Sequence, residues 1–124
     1  MTRTTRLSGK NMARVNLSNA DLQSVDFRDT TLQDAYLSGA DLRGADLTGA
    51  NLQGAHLDGA NLAGSTVDGA DLRGADLRDA GFDAVASAVG ARLDGARGVP
   101  DPADHAAPSA TPPESAAEPS DATP

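Results

Sequence analysis

An apolar residue recurs every fifth position from Leu7 to Phe82, and that period decides what the chain can fold into. The centres run Leu7, Met12, Leu17, Leu22, Phe27 and onward to Leu72, Leu77 and Phe82, sixteen units without insertion or deletion, twelve of them centred on Leu. Ala stands two positions before the centre in ten units, and Asp or Asn one position before it in ten. On an α-helix five residues advance the side-chain direction by about 500°, so successive leucines scatter around the axis. On a flat strand, faces alternate with period two, and an odd spacing throws successive leucines to opposite sides. A chain that turns a corner once per unit keeps every centre pointing inward, which makes a solenoid.

Within a unit, Leu42 and Ala40 are two residues apart and face in, while Asp41 and Arg43 face out. The remaining position is Gly in nine units, where the corner belongs, because Gly accepts backbone angles that other residues avoid. Runs such as Ala40-Asp41-Leu42-Arg43-Gly44, Ala45-Asp46-Leu47-Thr48-Gly49 and Ala50-Asn51-Leu52-Gln53-Gly54 resemble the pentapeptide-repeat proteins, and the resemblance covers residues 5 to 84. It implies an all-β fold, a right-handed quadrilateral β-helix with four units per coil. Sixteen units then make about four coils, stacked about 4.8 Å apart.

Composition sets the boundaries. The chain has no Cys, which excludes disulfides and thiolate metal sites. Arg3 and Arg6 have no apolar run behind them, so no signal peptide is expected, and no stretch reaches the length of a membrane span; a cytoplasmic protein is the expectation. All seven Pro lie at or beyond Pro100. From Gly98 to Pro124 the chain has five acids, no base and no Leu, Ile or Phe, so that tail is expected to be disordered. Residues 1–4 form a lead, 5–84 the solenoid and 85–97 a capping segment. Two readings of 85–97 stay open: a helix striped by Val85, Val89 and Leu93, or one inserted residue followed by a resumed repeat at Ala91-Arg92-Leu93-Asp94-Gly95. A short helix or turn near 84–90 and then a last repeat is preferred. Either covers the open end of the stack.

With four units per coil, outward positions twenty residues apart form columns. Asn16, Tyr36, His56 and Asp76 make one, Asp26, Asp46 and Thr66 another, and Asp21, Asp41 and Asn61 a third. Stacked carboxylates about 5 Å apart repel by about 1 kcal/mol per pair in water, and Arg28, Arg43, Arg73 and Arg78 are placed to relieve this. Asp21, Asp26, Asp41, Asp46, Tyr36 and His56 are therefore the candidate interaction surface. Phe27 and Phe82 stand at centres and are expected in the core. No cofactor is expected, and a hydrolytic triad lacks parts, since the only histidines are His56 and His105. The glycine-aspartate nonapeptide of calcium-binding β-rolls is also missing, which leaves a calcium-binding module a distant third reading.

The reading adopted is a non-catalytic structural or protein-interaction module with an unidentified protein partner, no membrane contact and no direct nucleic-acid contact. A homodimer through one end of the solenoid is a further expectation. The alternative comes from the resemblance: in its gyrase-protecting quinolone-resistance members a negative β-helix imitates DNA, which would make a DNA-binding enzyme such as a topoisomerase the partner. Mimicry asks for a long, strongly anionic rod. Four coils span only about 15–20 Å, and seven bases interrupt the twelve acids of residues 5–84.

Overall fold

The computed structural model describes residues 5–99. Its backbone is a ladder of isolated parallel bridges twenty residues apart, from Arg6↔Asp26 through Asn16↔Tyr36 to His56↔Asp76. One circuit therefore takes twenty residues, with four sides of five. The unit from Asp46 to Ala50 shows how the backbone is satisfied. The Asp46 N–H donates down to Val25 at 3.0 Å, while those of Leu47 and Gly49 donate up to Thr66 at 2.7 Å and Asp68 at 2.8 Å. The Ala50 N–H closes the corner onto the Leu47 carbonyl at 3.0 Å. The corner residue has a positive φ throughout, 70° at Gly49, and the six non-glycine corners (Arg14, Asn19, Ser24, Asp29, Asp34 and Asp79) hold φ between 56° and 62°.

The interior is a leucine column on each side, closed by small residues. Every centre from Phe27 to Leu77 is at most 1 % exposed, and Ala35 to Ala80 fill the positions between them. Each such leucine withdraws surface worth about 1.5–3 kcal/mol from water. Two hydroxyls replace alanine in this interior, and both find partners: Thr30 Oγ1 donates to the Leu7 carbonyl at 2.9 Å and Ser65 Oγ to that of Leu62 at 2.8 Å.

The sixteenth unit departs from the expectation. Phe82 does not fill a centre; it opens a 3-10 turn, Phe82–Ala84, and lies half-buried against the core. The cause is Gly81, which stands where the other units place an extended residue and instead adopts φ 65°. Beyond the turn the ladder resumes one residue out of step, as Thr66↔Ser87, Asp71↔Arg92 and Asp76↔Arg97. Elements of both readings of 85–97 are present. The short helix comes slightly earlier than expected, and the repeat at Ala91–Gly95 returns with Leu93 packed on the core. This segment covers the circuit below through Leu72 N–H to Arg92 and Leu77 N–H to Arg97, both 2.8 Å. The lead 1–4 lies outside the described residues, as does the disordered tail expected over 98–124, from Pro100 onward; its first residues are described, and Val99 packs against the core.

Candidate functional site

The bridges place the sequence-derived surface residues on three consecutive walls. Asp26 and Asp46 occupy neighbouring rungs of one wall, above Arg6. Asp21 and Asp41 do so on the adjoining wall, below Asn61, and Tyr36 and His56 on the next, between Asn16 and Asp76. The ladder thus brings the six together in pairs, each pair on a wall of its own.

The Asp and Asn side chains have local work to do. The ladder leaves one N–H per unit unpaired, on the residue after the centre. In each of the ten units that carry Asp or Asn before the centre, its Oδ1 accepts that N–H at 3.1–3.3 Å. This is an Asx turn, and the shared Oδ1 explains why the two residue types interchange here. The sequence carried this information in the fixed place of the ten residues, but reading them as a surface overlooked it.

Four of the carboxylates are also neutralised within their own unit. Arg28 grips Asp26 through Nε–Oδ1 at 2.9 Å and Nη2–Oδ2 at 2.8 Å, and Asp41–Arg43, Asp71–Arg73 and Asp76–Arg78 repeat the two-pronged contact. The Arg28 side-chain bonds, joined by the backbone bond, bring Asp26 down to about 2. Arg78 does the same to Asp76, also to about 2, and Asp41 and Asp71 are lowered by their own arginines. Among the described residues Asp21 and Asp46 form no ion pair; they accept from Gln23 Nε2 at 3.1 Å and Thr48 Oγ1 at 2.6 Å.

Tyr36 and His56 break the pattern. Their rings stack with centroids 4.8 Å apart and planes 3° from parallel, a spacing set by the rungs that carry them. Both are exposed, and Tyr36 and Val89 are the large hydrophobic side chains that the described residues leave in solvent. At the edge of this wall Ser38 Oγ donates to Asp58 at 2.6 Å. Among the described residues, no three His, Asp or Glu side chains gather as a metal set, and no helix is long and apolar enough to cross a membrane.

The repeat geometry has a counterpart among known proteins. The family model for pentapeptide repeats matches residues 5–34 and 40–79 in eight copies, more than half of the chain. The chain belongs to the pentapeptide-repeat family. Its fold is the family's right-handed β-helix. A crystal structure of the pentapeptide-repeat protein Rfr23 from the cyanobacterium Cyanothece 51142 is 35 % identical, with TM-score 0.63, over 78 % of this chain and 62 % of the other. A pentapeptide-repeat protein of the Arabidopsis thaliana thylakoid lumen is 26 % identical, with TM-score 0.59, over 72 % of this chain and 61 % of the other. This pentapeptide-repeat chain thus spans about three fifths of each structure. The fluoroquinolone resistance protein QnrB1 is 20 % identical over 70 % of the chain at TM-score 0.29, a likeness too low to transfer any property. No curated protein sequence matches.

Proposed function

We propose that this pentapeptide-repeat protein is a non-catalytic interaction module of the cytoplasm, whose β-helix holds a protein partner against the Tyr36–His56 wall. The observation that carries this reading is the exposed ring stack itself. Ten units place Asp or Asn before the centre, where its Oδ1 closes the unit's own backbone. Tyr36 and His56 give up that bond and present apolar ring area to solvent instead. Aromatic groups of this kind supply contact area at low entropic cost, as interface anchors do.

The DNA-mimic alternative draws on the acidic columns. Two of its four acids, Asp26 and Asp41, are tied to arginines of their own units, and all four spend Oδ1 on the backbone. Such a wall offers a short, interrupted anionic rail, which favours the interaction-module reading.

A binding experiment with designed variants tests the choice. Tyr36→Asn and His56→Asn place the residue most units favour and supply the missing N–H acceptor, so the fold should hold or tighten. Partner capture should be lost in that pair of substitutions and kept in a variant with Asn at Asp21, Asp26, Asp41 and Asp46. The wild type should leave topoisomerase activity unaffected at micromolar concentration. Inhibition by the wild type that the four-Asn variant abolishes would replace this reading with mimicry.

A further inference from the structure

The N-terminal circuit carries a charge opposite to that of the walls stacked on it. Residues 5–20 hold Arg6, Lys10 and Arg14 and no acid, whereas residues 21–84 hold twelve acids against four bases. All three bases are exposed, and none takes part in the ion pairs formed among the described residues. Lys10 has the most telling position. It stands two residues before Met12, at the inward place that Ala fills in ten other units, and it is nevertheless exposed. The rung above it holds buried Thr30 in the same inward place, whose neighbour Thr31 donates its N–H to the Lys10 carbonyl at 2.9 Å, so the interior above Lys10 is already filled. It must leave through the N-terminal mouth. Around that mouth Leu7, Met12, Val15 and Leu17 are only half-buried.

We propose that this basic mouth is the docking surface for the chain's own acidic C-terminal segment, which folds back along the stack and rests on Arg6, Lys10 and Arg14. Charge selects the surface: the segment from Pro100 to Pro124 carries Asp101, Asp104, Glu114, Glu118 and Asp121 and no base. The net-negative middle walls repel it and the mouth attracts it. Length permits the return. Five rungs about 4.8 Å apart put the two ends of the ladder about 20 Å from one another. The sixteen residues from Val99 to Glu114 can reach about 50 Å at full extension, more than twice that gap. The segment has no large apolar side chain, so the contact is electrostatic and weakens as salt screens it.

Paramagnetic broadening tests the contact in the full chain. The protein has no Cys, so a nitroxide at Ser120→Cys is unique. At low salt it should broaden the amide signals of Leu7 to Asn19 and spare those of the middle walls. Broadening should vanish in about 0.5 M salt, and also at low salt in the double variant Lys10→Ala, Arg14→Asn. Both substitutions are safe for the fold. Ala is what the inward position usually holds, and Asn tolerates the positive φ of corner 14. Broadening absent from Leu7–Asn19, spread evenly over the walls, or unchanged in the double variant would overturn the proposal. So would broadening that persists when the nitroxide and the nitrogen-15 label are on different molecules, which would assign the mouth to a second copy.

Discussion

In the first circuit the Met12 N–H donates to Thr31 at 2.7 Å, and in the middle of the stack the Leu52 N–H donates to Asp71 at the same distance. The side chains hung on these equal rungs differ. From Ala35 to Ala80 the inward small position is Ala except at Ser65; from Thr5 to Thr30 it is Thr, Lys, Val, Ala, Val, Thr. The eight corners from Gly39 to Gly74 are all Gly, whereas the five from Arg14 to Asp34 are not. Centres in the middle are sealed, while Leu7, Met12 and Leu17 are half-buried. The backbone ladder therefore tolerates wide variation in the side chains, since its hydrogen bonds ask only for an extended residue and a left-handed corner. Tight closure of the walls is a separate property, and it depends on Ala and Gly.

The largest test of that separation lies in the core. Leu47→Ala should cost about 2–5 kcal/mol, because it leaves a cavity in a sealed column. Leu7→Ala, at the half-buried mouth, should cost about 1 kcal/mol. Leu47→Asp should unfold the protein outright, as it buries a charge without a partner. Urea melts of the three variants measure this, and equal costs at positions 7 and 47 would erase the distinction between mouth and middle.

Corners come next. A Cβ added to Gly49 would land on the Asp29 carboxylate one rung below, in a backbone at φ 70°. At Gly9 the same Cβ would meet open space, at φ 72°. Gly9→Ala should thus cost about 1 kcal/mol for its backbone alone, and Gly49→Ala about 1–2 kcal/mol more. Asp29→Gly should recover the excess at position 49, so the pair is non-additive in denaturant melts. Additive effects would show that the non-glycine corners do not dictate glycine above them.

The Asx bond is smaller and local. Asn51→Ala removes the acceptor for the Gln53 N–H and should cost about 1 kcal/mol, whereas Asn51→Asp keeps Oδ1 and should be nearly silent in thermal melts. A comparable loss in both variants would mean that the amide group, and not Oδ1, is what this position needs.

Much of this was legible in the sequence, for a physical reason: a five-residue period with Leu inward and Gly at the corner is satisfied by few backbones. The inward assignment of Leu42 and Ala40 follows from the period, and the column Asn16–Tyr36–His56–Asp76 from the four units per coil that the family resemblance implies. Phe82 was misread because spacing cannot register that Gly81, one residue earlier, leaves the extended conformation. Asp21, Asp26, Asp41 and Asp46 were legible as outward but not as backbone acceptors, since the N–H they satisfy becomes an orphan only after the ladder has claimed the others.

The smallest effect concerns charge on the Tyr36–His56 wall, where Asn16 stands below the rings and Asp76 above them. Asp76→Asn makes the upper end of the wall resemble the lower. Asn keeps the acceptor for the Arg78 N–H, now 3.1 Å from Asp76, and loses the ion pair with the guanidinium. Arg78 lowers Asp76 from 3.8 to about 2 in the folded chain. A carboxylate lowered by folding stabilises the native state above its unfolded value, and that contribution is lost as pH falls through the folded one. The wild type should therefore lose stability between about pH 4 and about pH 2. Asp26, lowered to about 2 by Arg28, contributes to the same limb. Asp76→Asn should lower the neutral-pH melting temperature slightly, as exposed pairs contribute little, and make the acid limb less steep. Thermal melts from pH 7 to pH 2 read both effects. An acid limb of unchanged steepness would mean that the Arg78 contact forms without stabilising the fold, and that the two ends of the wall differ in sequence but not in energetic consequence.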